Sequence, residues 1–124
     1  MREEQVGARI AMLMRKSPYG SVYPAEGFRA MMGIAVFEMD VCVLFLDDGV
    51  YALVKGQDPS GIDMKPLGDG FAALPDVGIS EFYVHDESLV ERGLSPDDLA
   101  VGAKVVSAAR IAEILAGCTA VLPF

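Results

Sequence analysis

Apolar positions along this chain fall into short unbroken runs, separated by stretches rich in glycine, proline and charge. "RIAMLM", residues 9–14, stops at "RKSPYGS", where Pro18 and Gly20 signal a loop. "VCVLFL", 41–46, is continuously apolar and ends on Asp47, Asp48 and Gly49. "EFYVH" and "KVV" are shorter β-prone runs, and "TAVLPF" closes the chain as another. Continuous β-prone runs suit strands buried on both faces, as in a parallel sheet, better than half-exposed antiparallel strands. A different period sets in after Pro24, which suits the first turn of a helix. Phe28, Met31, Met32, Ala35, Val36 and Met39 recur at helical spacing and predict a buried stripe. Ile34 and Phe37 lie off that stripe and widen the apolar surface. Such a surplus fits a subunit contact, and equally a helix enclosed by its own sheet.

The remaining punctuation fills in the order of elements. "GVYALVKGQ" predicts a short helix or turn, and residues 56–70 predict an irregular loop carrying Gly56, Pro59, Gly61, Pro66, Gly68 and Gly70. "FAAL" reads as a short helix before Pro75. Asp86 is placed to cap the next helix with its carboxylate, and Gly93 to end it. In "SPDDL", Ser95, Pro96 and Asp98 form a capping-box-like start. Ser107 caps a last helix carrying Ile111, Ile114 and Leu115, which Gly117 ends. Strands separated by helices predict a three-layer α/β/α fold with a five-stranded, mainly parallel sheet, spanning 1–124 as a single domain. Right-handed crossovers then put the strand-to-helix loops on one edge.

Composition sharpens this picture. The chain has 124 residues, of which 52% are hydrophobic, enough for one core and too few for two ordinary domains. Mean hydropathy is +0.37, which fits a doubly covered sheet, apolar surface hidden in an assembly, or both. Ten basic against 18 acidic residues give a formal charge of −8 with no basic run, so direct nucleic-acid binding is not expected. The apolar segment 31–54 contains Glu38, Asp40, Asp47 and Asp48, and a central Asp alone costs about 2.5 kcal/mol or more in a membrane. Helix, strand and turn account for that segment better. The start, "MREEQVGARIAMLM", has an acidic pair and too short an apolar run for a secretory signal, so a cytoplasmic location is expected. Cys42 and Cys118 show no metal-ligand spacing, and a reducing compartment argues against a disulfide between them.

Several of these stretches together resemble one family. "SPYGS", "AEGFRAMM", "LDDGVYALVKGQ", "HDESLVERGL" and the final "LPF" are similar, in this order, to the DsrE/DsrF-like proteins. The likeness is greatest to the DsrF/TusC subunit of intracellular sulfur-relay complexes. The resemblance implies a five-stranded α/β domain without a cofactor. It also implies assembly into trimers or hexamers, by self-association or with related DsrE/DsrH-like (TusD/TusB-like) subunits. A small sulfur-acceptor protein is a further implied partner. In the family, a cysteine of the DsrE/TusD-type subunit carries sulfur as a persulfide, at a strand end before the helix equivalent to "SLVERG". The matching position here is His85. The resemblance therefore implies a subunit that scaffolds or docks, without a sulfur-carrying thiol of its own at that place.

Persulfide transfer needs a reachable thiolate, and His85 cannot supply one. As the only histidine in the chain it can still take a proton or donate a hydrogen bond beside a partner's sulfur site. The plainer reading is a strand-end histidine satisfied by backbone or by Asp86, and it is preferred. Ser17, Tyr19, Asp47, Asp48, His85 and Asp86 are expected on one edge, where they line a small cleft or merely form turns. Asp47 and Asp48 alone make a weak metal site, and a turn suits them better. Cys42, inside a predicted strand, reads as a small inert hydrophobe. Cys118, at the start of the last strand, has no activating cation nearby in sequence. The alternative is a stand-alone homo-oligomer that binds a small ligand at the strand ends, or a sulfurtransferase using Cys118 or Cys42.

Overall fold

The computed structural model describes residues 9–19, 21–37, 39–57, 61 and 67–124. Five strands form one sheet: β1 (Arg9–Met14), β2 (Asp40–Phe45), β3 (Glu81–His85), β4 (Lys104–Val106) and β5 (Ala120–Pro123). Four α-helices connect them: α1 (Tyr23–Ala35), α2 (Leu67–Ala73), α3 (Asp86–Glu91) and α4 (Ala108–Ala116). Short 3-10 segments occupy Asp47–Leu53, Leu74–Val77 and Pro96–Asp98. The strand order is β4-β3-β2-β1-β5, and every neighbouring pair is parallel. The sheet is thus fully parallel, as the unbroken apolar runs require.

Strand alternation divides the core into two layers. Met12, Met14, Val43, Phe45, Phe82 and Val84 point to one face, where Met31 of α1, Phe71 of α2 and Leu89 of α3 cover them. Phe71 stacks edge-on against both Phe28 and Phe45, with ring centroids 5.5 and 5.2 Å apart. Ala11, Cys42, Leu44 and Tyr83 point to the other face, which Ile111 and Ile114 of α4 close. Among the described residues, three helices therefore pack on one side and one on the other.

Local signals explain most boundaries. Ser107 Oγ accepts the Arg110 N–H at 3.2 Å, capping α4 as its position predicts. Asp98 Oδ2 accepts the Ser95 N–H at 2.8 Å, completing the predicted capping box. Gly93 has φ +67°, and the Leu94 N–H bonds back to the Leu89 carbonyl, so α3 ends in the left-handed glycine turn expected of it. Three expectations need correction. The apolar stripe of the first helix does not run to Met39: α1 stops at Ala35, and Met32, Val36 and Met39 are exposed. Of the predicted stripe, Met31 is buried and Phe28 and Ala35 pack against the core, where Ile34, expected off the stripe, joins them. Gly68 and Gly70 belong to α2 rather than to a loop, because α2 begins before "FAAL". Asp86 is the first residue of α3 and His85 its N-cap, so the Asp86 carboxylate receives only the adjacent Glu87 N–H, at 2.6 Å. Pro59 and Pro66, part of the loop predicted over 56–70, lie outside the described residues.

Candidate functional site

Because all strands are parallel, the loops after β1, β2 and β3 emerge on one edge. At the end of β2 the chain turns sharply. The Leu46 N–H bonds to the Met14 carbonyl at 3.1 Å, and Asp47 adopts φ +52°, a left-handed conformation uncommon outside glycine. Gly49 follows because a Cβ there would lie 2.0 Å from the Met14 carbonyl oxygen. This turn carries the Asp47 N–H to α3, where the Ser88 Oγ accepts it at 2.8 Å. The same Oγ lies 2.7 Å from Nδ1 of His85. On the other side of the ring, Nε2 is 3.7 Å from Asp86 Oδ1, buried and without a hydrogen-bond partner among the described residues.

Ser88, His85 and Asp86 do not make a nucleophilic triad, since Ser88 Oγ meets Nδ1 and no hydrogen bond joins Nε2 to Asp86. Ser88 is only 1% exposed and its oxygen already accepts a backbone proton, so no substrate carbonyl can reach it. Arg92 completes the cluster from the end of α3. Its guanidinium contacts Asp48 Oδ1 at 3.0 Å and the Ser88 carbonyl at 3.2 Å, and it lies 6.0 Å from the centre of the Tyr51 ring. Along the outer side of α3, a shallow groove of about 330 Å³ is lined by Asp86, Glu87, Val90 and Glu91.

The six residues expected on this edge separate into two sets. Asp47, Asp48, His85 and Asp86 are drawn together through Ser88 and Arg92. Ser17 and Tyr19 belong to the β1 side: the Ser17 hydroxyl donates to the Tyr19 carbonyl at 3.3 Å, and the Tyr19 hydroxyl donates to Gln57 Oε1. Gln57 is anchored in turn by donating to the carbonyls of Ala52 and Val54, at 2.9 and 2.8 Å. Ser88, Arg92 and Gln57 were not singled out from the sequence. For Ser88 a signal existed, since a residue three places after a strand-end histidine, across a strand-to-helix junction, can turn back to its ring. Arg92 stands four residues beyond Ser88, one helical turn further on the same side. Gln57 carried no such local signal.

The two thiols lie on the α4 face, away from this cluster. Cys42 is completely buried, and burial pushes its thiol up to about 12, against an opposing pull from Arg9. Cys118 packs against the same apolar layer and its thiol donates to the Ile114 carbonyl at 3.2 Å. The Cys42 setting does not offer the accessible, stabilised thiolate that sulfur transfer needs, and Cys118 is half-buried. Among the described residues, no group of three or more His, Cys, Asp and Glu side chains is arranged to hold a metal ion. No helix among them is long and apolar enough to cross a membrane.

Residues 8–124 match the model of the DsrE/DsrF-like family. The chain belongs to this family. It is 38% identical to the intracellular sulfur oxidation protein DsrF of Allochromatium vinosum, over 97% of this chain and 98% of that protein. It is 33% identical to the TusC homolog of Vibrio parahaemolyticus, over 94% of this chain and 99% of the relative. Among solved structures, the ychN protein from E. coli superposes with a TM-score of 0.83 at 20% identity, covering 94% of this chain and 99% of that one. That likeness supports the fold assigned above, a parallel five-stranded sheet between helices.

Proposed function

We propose that this protein is a DsrF/TusC-like subunit of an intracellular sulfur-relay complex, serving as scaffold and docking surface and not as the sulfur carrier. The observation that carries this reading is the near full-length likeness to DsrF and TusC homologues. The site agrees with it: where the family resemblance puts a persulfide cysteine stands His85, and both thiols of the chain are packed into the α4 face. An exposed apolar strip from α1 into the following turn, with Val36 and Phe37 at 77% and 75% exposure, supplies a surface for related DsrE/DsrH-like subunits or further copies. The word intracellular in the name of the DsrF relative supports a cytoplasmic location. The stand-alone ligand-binding alternative gains no support from the hydrogen bonding, which ties Ser17 to the Tyr19 segment and His85 to Ser88.

Two measurements test the proposal together. Co-purification from the native organism, with mass identification, is expected to recover related subunits. Loading with a cysteine desulfurase, followed by intact mass, is expected to add no reducible sulfur to Cys42 or Cys118. A strictly monomeric chain that binds no related subunit overturns the docking role, and a persulfide on either cysteine overturns the non-carrier role.

A further inference from the structure

We infer that Ser88 is a positioning residue that holds His85 as the Nε2–H tautomer, so that this strand end offers a hydrogen-bond donor rather than a base. A serine hydroxyl has one proton to give and two lone pairs. One lone pair of Ser88 Oγ receives the Asp47 N–H at 2.8 Å. The residue is 1% exposed, so its own proton needs an acceptor inside the protein, and His85 Nδ1 lies 2.7 Å away. If Nδ1 carried the ring proton instead, Ser88 would accept twice and its buried hydroxyl proton would have no use. The relay from Asp47 N–H through Ser88 to Nδ1 therefore leaves the ring proton on Nε2.

Nε2 is the ring atom left buried without a hydrogen-bond partner among the described residues, with Asp86 Oδ1 out of range at 3.7 Å. The group that satisfies it must be an acceptor. Asp86, whose carboxylate stands 3.7 Å from Nε2, also lines the groove along α3 with Glu87 and Glu91, and these carboxylates repel an anion more than a neutral group. The acceptor that fits is a carbonyl oxygen of a docked chain, reaching Nε2 as the half-exposed Asp86 side chain gives way. Naming a docked subunit as its source rests on the function proposed above. The tautomer does not.

His85 is the only histidine, so nitrogen NMR of labelled protein reads its two ring nitrogens without ambiguity. With the ring neutral, the intact chain is expected to show Nε2 protonated and Nδ1 bare. In Ser88→Ala the ratio of the two tautomers should fall severalfold, and Ser88→Thr, which keeps the hydroxyl, should restore it. A protonated Nδ1 in the unmodified protein overturns the inference even if no variant folds. So does an unchanged ratio in Ser88→Ala. For the acceptor, His85→Gln keeps a donor near Nε2 and should retain capture of the co-purifying subunits, whereas His85→Leu should weaken it roughly threefold to tenfold. Equal capture by both variants rejects the docked carbonyl. Failure of the unmodified chain to capture any subunit rejects the proposed function, while the NMR result still decides the tautomer.

Discussion

Glu81 shows how one side chain can tie two strands and, through Arg9, a third. It begins β3 and receives hydrogen bonds from Arg9 of β1 and from the Tyr83 hydroxyl, while Arg9 also reaches Asp40 of β2 at 3.4 Å. Burial pushes its carboxyl up, but the bonds from Tyr83 and Arg9 outweigh this and hold it below the usual carboxylate value. A carboxylate with a depressed folded-state pKa stabilises the fold above its unfolded value, and that contribution fades as pH falls through the folded one. Glu81→Gln should therefore lower the urea midpoint at pH about 7 and converge with the unmodified protein only as pH falls through the lowered folded-state value. A constant gap between the two across that range would rule the linkage out. The side chain is about a third exposed, so solvent screening keeps the contribution modest.

At the scale of elements, α4 carries an unequal share. The first face of the sheet is covered by three helices, whereas Ile111 and Ile114 of α4 close the second. Ile114→Ala should cost about 2–4 kcal/mol in denaturant unfolding, since among the described residues α4 alone supplies helix cover on this face. A loss under about 1 kcal/mol would mean that this face repacks. The same elements show what was legible from sequence. Strands declared themselves as unbroken apolar runs, and Ser107, Gly93 and the Ser95–Asp98 pair marked helix ends through hydrogen bonds made within a few residues. The end of α1 was misplaced because Val36, Phe37 and Met39 continue an apolar pattern after the helix stops, and periodicity cannot distinguish a surface kept for a partner from one turned to the core. His85 was legible as a strand end, but its union with Asp47 depends on β2 lying beside β3, which no local pattern reports.

For the whole molecule, the exposed apolar residues are not scattered evenly. Met32, Val36, Phe37 and Met39 lie within one short stretch, on a chain whose formal charge of −8 otherwise favours separation in solution. If the α1 strip makes the proposed subunit contact, Phe37→Asp should shift light scattering toward smaller species while changing monomer stability by only about 0.5 kcal/mol, because the ring is largely exposed within its own chain. Retention of the full assembly by this variant would locate the subunit contact elsewhere. The acidic groove along α3, with Val90 76% exposed between its carboxylates, is a separate surface beside His85. The α1 strip and the His85 edge can therefore be tested by independent substitutions.

The placement of β5 beside β1 has a consequence for synthesis. Arg9 and Thr119 meet across 110 residues, so the flank of β1 is filled only after the other four strands have been translated. Until then a nascent chain can pair β1 with β2 and yet present Ile10 to Leu13 as an open parallel edge. Open edges invite pairing with other chains. A ribosome that stalls within α4 would thus release a species prone to aggregation, and timely delivery of the last strand protects this fold during its production.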